Sequence, residues 1–278
     1  NLADFEIIKD QSGPAADAKS HISGGTGLLK AQAACPFSAF AAYRLQAKTL
    51  EKPESGLNAR DRGSLVHNAL ELFWEDVKNL NALKKMSEEK LFEAVSNAVN
   101  RAVTDMAKKN PRTFTERFTQ LEKERLNLLV QAFLTVDAQR TSFTVIGREE
   151  KLECTIADIK LRTYADRIDR LDDGRLVIVD YKTGEPKVAD WFTDRIAEPQ
   201  LPLYSVVVEK EVAGVVFGQV KKGKMKYLGV TADAKIIPGA KEPGSKNGPM
   251  ENFDSLGEVI DLWKGKIEVL ADEVRQGR

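Results

Sequence analysis

The feature that most constrains the fold is a change of hydrophobic periodicity near residue 140. Before it, the stretches 62–78, 87–109 and 114–140 place apolar residues three and four positions apart, which predicts amphipathic helices. After it, the stretches 142–150, 152–169 and 175–182 are rich in Val, Ile, Thr and Tyr, which predicts strands. A helix over about 200–209 and strands over 214–220 and 224–230 follow. This order predicts an α/β domain whose central mixed sheet is flanked by helices, with a helical lobe on one side.

The domain organisation follows from the same pattern. Residues 1–27 are expected to form an extended lead-in, and 28–45 to form two short helices around Pro36. Residues 28–230 are expected to be one domain, with the helical lobe at 62–140 and an α/β core at 142–230. The last segment, 231–278, is expected to be a loop followed by a C-terminal helix of the same domain.

Composition narrows the class of protein. The 42 basic and 42 acidic residues cancel, which argues against a protein held on nucleic acid by bulk charge alone, although a local basic strip would suffice. No apolar run approaches the roughly 18 residues of a membrane span, and no signal peptide leads the chain. Two cysteines give no disulfide framework and suit a reducing cytosol. Because the first residue is Asn1 and not Met, we expect an excised fragment.

The strand predicted over 175–182 carries the strongest chemical feature. It is apolar until it places Asp180 and Lys182 side by side on one face. One interpretation is an ion pair at the rim of the sheet. The other is phosphodiester hydrolysis, in which a carboxylate binds a divalent cation and a nearby ammonium orients water or holds the phosphate. One Asp and one Lys make a weak site, so this interpretation requires a second acid.

Asp169, on the preceding strand, is the candidate for that second acid. The register of the hairpin decides whether it can share a metal ion with Asp180. A turn centred on Gly174 and Arg175 would place the two acids opposite each other. A tight turn on Asp172 and Asp173 would offset them by about four residues, on the order of 13 Å. We expect the first arrangement.

Two helical segments offer further polar side chains. His67 shares one side of its helix with Ser64 and Glu71, and a neutral imidazole can complete a metal's ligand set. Gln200 and Tyr204 lie four residues apart, so Gln200 could hold water or phosphate while Tyr204 stacks on a base. The alternatives are a surface or capped histidine, a surface glutamine and a packed tyrosine.

Four motifs occur in a fixed order along the chain. They are Gly63-x-x-x-His67, then Arg167-Ile-Asp169-Arg170, then Val179-Asp180-Tyr-Lys182-Thr-Gly184, then Gln200-x-x-x-Tyr204. Together they resemble the RecB-family nucleases of the PD-(D/E)xK superfamily, with the nearest likeness to AddB-type bacterial DNA-repair proteins. The segment Gln32-Ala-Ala-Cys-Pro-Phe37 resembles the start of that domain, so the likeness covers about residues 28–230.

The resemblance implies a restriction-endonuclease-like core that uses Mg²⁺ or Mn²⁺. The metal ligands it implies are His67, Asp169, Asp180 and the main-chain carbonyl of Tyr181. It implies that Lys182 is the catalytic lysine and that Gln200 and Tyr204 line the active site. Glu149 or Glu150 is a weaker candidate for a further acid. Asp166 stands where many relatives have Gly.

The resemblance also implies a function. It is metal-dependent hydrolysis of DNA, most simply exonucleolytic trimming of single-stranded ends during repair or recombination. The implied partners are single-stranded or duplex DNA ends and a helicase or helicase-like region, in the bacterial cytoplasm. One alternative is a nuclease-fold scaffold that binds DNA without cutting it. Another is a hydrolase for a small phosphorylated substrate, which a closed pocket would favour over an open basic groove.

Basic residues and one cysteine complete the candidates. Arg62, Lys221, Lys222 and Lys224 are candidate DNA contacts, although the lysines, which flank a hairpin turn, are also typical of a solvated sheet edge. AddB-type relatives use a cysteine near Cys35, with three more beyond the core, to hold a [4Fe–4S] cluster. No cysteine follows Cys154, so the chain as given should not hold one. Either the partners of Cys35 belong to a longer protein, or Cys35 is a small buried apolar residue.

Overall fold

A computed structural model of the chain describes residues 12–16, 24–47 and 56–278. Its centre is a five-stranded sheet in the order β1-β2-β3-β4-β5. The strands are β1 (Phe143–Ile156), β2 (Ile159–Leu171), β3 (Leu176–Lys182), β4 (Val212–Gln219) and β5 (Lys226–Thr231). Only β3 and β4 pair in parallel, and the other neighbours pair antiparallel. The predicted mixed sheet of an α/β fold is confirmed.

Helices cover both faces of the sheet. In the described residues they are α1 (Gly25–Ala34), α2 (Pro36–Ala39), α3 (Ala59–Val77), α4 (Leu80–Lys84), α5 (Glu88–Lys109), α6 (Glu116–Asp137), α7 (Gln200–Val207) and α8 (Leu256–Gln276). A π-helical turn, Phe40–Arg44, continues α2, and a 3-10 turn spans Val188–Trp191. Several helices begin where a side chain accepts a hydrogen bond from the first turn. These N-caps are Asn58, Asn79, Ser87, Thr115 and Ser255.

Alternate residues of β3 divide the interior into two apolar cores. Val177, Val179 and Tyr181 face the lobe helices α3, α5 and α6. Leu176 and Ile178 face α1, α7 and α8. Because parallel strands need a crossover connection, α7 lies between β3 and β4 in sequence and packs on the second side. The chemical residues at the end of β3 therefore lie where the two layers meet the sheet edge.

The boundary between the first two strands differs from the prediction. β1 continues through the charged residues near 150 to Ile156, and the chain turns at Ala157 and Asp158. Both turn residues have left-handed backbone angles, with φ of 48° and 64°. Such two-residue hairpin turns usually contain Asn-Gly or Asp-Gly, so Ala-Asp carried little signal. β3 pairs only with residues 167–170 of β2, so residues 149–165 form a two-stranded extension, called the ribbon below.

The N-terminal region is only partly described. Residues 12–16 have no regular structure, whereas α1 begins at Gly25, so the predicted extended lead-in is wrong for residues 25–27. The remainder of that prediction, residues 1–11 and 17–23, lies outside the described residues. Across the ranges described, no helix is long and apolar enough to cross a membrane.

Candidate active site

The register of the β2–β3 hairpin decides which acid faces Asp180. A three-residue loop, 172–174, joins the strands and ends at Gly174 with φ of 91°. Asp169 pairs with Val177, which is three residues from Asp180 and on the opposite face of β3. The prediction that Asp169 lies opposite Asp180 is therefore wrong, because the loop is centred on Asp173 and neither expected turn forms.

Asp169 instead belongs to a buried ion-pair cluster, Asp137, Arg140, Arg167 and Asp169, whose side chains are at most 1% exposed. Arg140 Nη1 lies 2.6 Å from Asp169 Oδ2, and Arg167 Nε lies 2.9 Å from Asp169 Oδ1. Arg167 also donates to both oxygens of Asp137, and the Tyr227 hydroxyl donates to Asp137 Oδ1. Two cations and two anions compensate each other, so Asp169 is engaged in holding the sheet to α6 and does not reach the site of Asp180.

Asp166 occupies the position that was expected for Asp169. The β2–β3 ladder ends at the pair Arg167–Val179, and beyond it the strands separate around the Asp166 side chain. Its Oδ2 accepts a 2.6 Å hydrogen bond from the main-chain N–H of Tyr181 and lies 3.1 Å from His67 Nδ1. The signal that could have found it is Asp172-Asp173-Gly174, a three-residue loop with Gly at the left-handed position. That loop places Asp166 across from Asp180.

Asp180 is a buried acid with an incomplete set of partners. Gln200 Nε2 donates to its Oδ1 at 3.0 Å, and Lys182 Nζ lies 2.7 Å from its Oδ2. Burial, followed by the charge of Asp166, raises the pKa of Asp180 to about 6 against the opposing effects of Lys182 and His67. For Lys182, burial alone would lower the pKa, but the negative charge and hydrogen bonding of Asp180 outweigh it and raise the pKa. The expected pairing of Asp180 with Lys182 is present.

His67 reaches this pair from the lobe helix α3. Burial would lower the pKa of its imidazole, but contact with Asp166 and the charge of Asp180 outweigh burial and raise it. Glu71 lies one turn further along α3, and burial together with the charge of Glu149 raises the pKa of its carboxyl. The neighbouring pairs of the β1–β2 ladder place Glu149 across from Asp166. Acidic side chains therefore gather on three adjacent strands and one helix.

Gln200 and Tyr204 have different positions. Gln200 begins α7, and its Nε2 donates to Asp180 Oδ1 and, at 3.3 Å, to the carbonyl of Tyr164. Tyr204 is 1% exposed and packs in the core with α8, so the prediction that it stacks on a base is wrong. The Tyr181 side chain is also buried and its hydroxyl accepts from Arg167 Nη1.

Comparison with known proteins identifies the family. Residues 28–278 match the profile of the PD-(D/E)XK nuclease superfamily. The chain belongs to this superfamily. Its (D/E)XK signature corresponds to Asp180-Tyr181-Lys182, the end of β3.

Individual relatives of this superfamily member are distant. One is a component of the ATP-dependent helicase/deoxyribonuclease of Clostridium perfringens (strain SM101 / Type A), 29% identical over 191 residues, 62% of this chain and 16% of that protein. The protein of the same name from Streptococcus agalactiae serotype Ia is 27% identical over 55% of this chain and 13% of its own length. The match thus spans less than one fifth of either relative. A solved structure described as "Crystal structure of SSO0001" covers 87% of this chain and 84% of its own, at 15% identity and a TM-score of 0.25.

The residues around Asp180 fit a hard divalent cation of the kind used across this superfamily. Two carboxylates and an imidazole come from Asp166, Asp180 and His67, and the buried Oδ2 of Asp180 faces the Lys182 ammonium without a well-directed hydrogen bond. Within the described ranges, no three His, Cys, Asp or Glu side chains already stand at ligating distances. His67 and Asp166 contact each other instead, so cation binding requires a small rearrangement and water ligands.

The predicted basic contacts fall into two groups. Lys221 and Lys224 each place Nζ 2.7 Å from Glu185 Oε1, and together they lower the pKa of that carboxyl to about 2. Their charge is therefore partly compensated. Arg62 and Lys222 line an open groove of about 730 Å³ that also includes Thr183, the residue after the lysine of the signature.

Cys35 is exposed at the start of α2, so the interpretation of it as a buried apolar residue is wrong. Hydrogen bonds from Ser38 lower the pKa of its thiol. The chain contains one other cysteine, Cys154, which is also a free thiol. Two thiols do not fit a [4Fe–4S] cluster, which takes four.

Proposed function

We propose that this chain is a divalent-metal-dependent deoxyribonuclease that hydrolyses DNA phosphodiester bonds during repair or recombination. The observation that carries the proposal is the convergence of Asp166, Asp180, Lys182 and His67 where β2 and β3 separate. Membership of a nuclease superfamily whose signature ends in the same Asp-x-Lys sequence supports this. The open groove beside Lys182 favours a polymer over a small phosphorylated substrate.

Each residue has a role in this proposal. Asp166, Asp180, His67 and the Tyr181 carbonyl would hold Mg²⁺ or Mn²⁺, which lowers the pKa of bound water and stabilises charge on the phosphoryl oxygens. Lys182 positions the attacking water or the scissile phosphate through its ammonium, which lies beside Asp180. Gln200 keeps the Asp180 carboxylate oriented through its amide. No residue forms a covalent bond with the substrate.

The finer assignment concerns substrate and partners. We propose exonucleolytic digestion of single-stranded DNA ends, with Arg62 and Lys222 contacting phosphates and a helicase or helicase-like region delivering the strand. The C. perfringens and S. agalactiae relatives carry both helicase and deoxyribonuclease in their names, which supports such a partnership. We place the activity in the cytoplasm, because the two cysteines are free thiols, as is usual in reducing compartments.

The test is cleavage of single-stranded DNA with Mn²⁺, Mg²⁺ or EDTA by wild type and by Asp166→Ala, Asp180→Ala and Lys182→Ala. Matched controls are Asp105→Ala and Lys108→Ala, an exposed ion pair with N–O distance 2.9 Å on α5. We expect metal-dependent cleavage, a loss of at least about 100-fold in each site variant, as for removal of a charge-stabilising group, and wild-type rates in the controls.

Calorimetric Mn²⁺ titration separates the alternatives. Absence of both cleavage and Asp180-dependent Mn²⁺ binding, with DNA affinity retained, would contradict the nuclease proposal and favour a scaffold that binds DNA without cutting it. Equal losses in the site variants and in the α5 controls would show that general destabilisation, and not the site, is being measured.

A further inference from the structure

Tyr164 is an exposed aromatic residue beside the proposed active site. Its residue surface is 45% exposed, and it lies two positions before Asp166 on β2, on the order of 7 Å along the strand. One amide group, Gln200 Nε2, donates both to the carbonyl of Tyr164 and to the carboxylate of Asp180. The main chain of Tyr164 is thereby held next to the site.

The ribbon explains why this aromatic ring remains uncovered. One face of the ribbon, with Ile159, Leu161 and Ala165, packs in the core of α1, α7 and α8. The opposite face is exposed, and cross-strand pairing groups its residues. These residues are Lys151, Glu153, Lys160, Arg162 and Tyr164.

The charge of this exposed face suits a polyanion. Three of its residues are basic and one is acidic. Glu153 lies 2.8 Å from Lys151 and 3.0 Å from Arg162, which leaves Lys160 without an ion-pair partner among the described residues. The face thus has a net excess of two positive charges on a surface that leads directly to Asp166. An aromatic ring within a basic strip is the composition that proteins use to bind single strands.

A purely structural reason for Tyr164 is weaker. Tyrosine is a good strand former, but such a residue usually packs against an aromatic or β-branched neighbour. Here the residue across from Tyr164 is Lys151. With Tyr204 buried, the other exposed aromatic residues of the described chain are Phe37 and Phe92, on α2 and α5.

We propose that the exposed face of the ribbon binds an unpaired DNA strand, with Tyr164 stacking on a base adjacent to the scissile phosphate. Lys151, Lys160 and Arg162 face the backbone phosphates. This inference rests on the proposed function and extends it, because a base must leave its duplex partner before it can stack on a protein ring. It therefore gives a physical reason for single-strand preference.

The first experiment measures binding of a short fluorescein-labelled oligothymidylate by anisotropy in EDTA, where no cleavage occurs. Tyr164→Ala should weaken binding on the order of tenfold, the usual scale of one base–aromatic stack. Tyr164→Phe keeps the ring and should bind as wild type does. Phe92→Ala, which removes an exposed ring on α5, is the matched control and should also bind normally. The affinity for a duplex of equal length should change less than twofold.

A fluorescent variant tests stacking directly. The three native tryptophans, Trp74, Trp191 and Trp263, are fully buried, so a ring introduced at the surface can be quenched selectively. Oligothymidylate should quench the emission of Tyr164→Trp and leave that of Phe92→Trp unchanged. Unchanged emission in Tyr164→Trp would contradict stacking.

Other outcomes would overturn the proposal without touching the nuclease assignment. Wild-type affinity in Tyr164→Ala, equal weakening in Tyr164→Phe, or equal losses for single strands and duplexes would each do so. Hydrolysis of bis(p-nitrophenyl) phosphate with Mn²⁺, a substrate without a base, should be the same in wild type and Tyr164→Ala. Failure of wild type to hydrolyse any phosphodiester would sink the proposed function instead, and the binding results would remain interpretable.

Discussion

At the scale of single residues, two buried aspartates of the same hairpin have opposite roles. Asp169 is surrounded by two guanidinium groups and is neutralised inside the protein. Asp180 has one ammonium contact and lies near a second acid, Asp166, so its ionised form is unfavourable, and its pKa is about 6. Buried acids that remain undercompensated are typical of functional sites, whereas compensated ones are typical of structural clusters.

Asp180→Asn is expected to stabilise the metal-free protein at neutral pH. The folded-state pKa of about 6 exceeds the usual value, so the folded state binds more protons than the unfolded state between about pH 4 and 6. Stability therefore falls as pH rises through that window, and the cost of the charged form is complete above it. Removing the charge should add roughly 1–3 kcal/mol to the free energy of unfolding at pH 8.

Urea unfolding in EDTA at pH 8 and pH 4 measures this effect. The difference between Asp180→Asn and wild type should shrink toward zero at pH 4, where the carboxyl is protonated in the folded state and largely so in the unfolded state. Asp105→Asn, on the exposed surface of α5, serves as control and should show no such gain. A variant less stable than wild type at pH 8 would contradict the assignment of Asp180 as an undercompensated acid.

Asp169→Asn is expected to have the opposite effect. It leaves two buried guanidinium groups facing a single carboxylate, Asp137, and breaking a buried ion pair costs about 3–5 kcal/mol. Urea unfolding should show this loss, while Mn²⁺ affinity of the remaining folded protein stays near that of wild type. Asp166→Asn should show the reverse, with lost Mn²⁺ binding and little loss of stability. Selective loss of Mn²⁺ binding in Asp169→Asn would restore Asp169 as a ligand.

At the scale of elements, two hairpins determine which side chains meet. The loop at 172–174 sets the β2–β3 register and brings Asp166 across from Asp180. The turn at Ala157 and Asp158 lets β1 and β2 extend past the sheet, which creates the exposed face carrying Tyr164. A shift of either register by one residue would move these side chains to the other face.

The double variant Ala157→Asn, Asp158→Gly is expected to stabilise the protein by about 1 kcal/mol. Asn and Gly tolerate the left-handed angles of this turn better than Ala and Asp do, and this relief outweighs the added freedom of Gly in the unfolded chain. Urea unfolding measures the change. Gly174→Ala, at a φ of 91°, is the matched opposite and should destabilise. Destabilisation by the double variant would contradict the two-residue turn.

At the scale of the whole molecule, the proposed site lies where both helical layers meet the sheet edge. His67 comes from the lobe helix α3 on one side, and Gln200 comes from α7 on the other. Asp166, Asp180 and Lys182 come from the sheet between them. A cation held by these residues would therefore join the layers, and its affinity would depend on the packing of both cores.

Much of this arrangement was determined by the sequence itself. Helical and strand periodicities are local properties of the chain, so the order of elements and the mixed sheet could be predicted from them. The pair Asp180 and Lys182 could be predicted for the same reason, because side chains two residues apart on a strand share a face. The order of the four motifs likewise indicated the family that the profile match shows.

Only the tertiary structure decided which acid accompanies Asp180. Asp166 and Asp169 are three residues apart in one motif, and the hairpin loop selects between them through strand register. Asp169 is withdrawn into the buried cluster because Asp137 and Arg140, distant in sequence, supply its environment. Likewise Tyr204 is buried and Tyr164 is exposed because helix packing and a turn without glycine decide which faces meet solvent. Such outcomes depend on contacts between distant segments, which local periodicity does not encode.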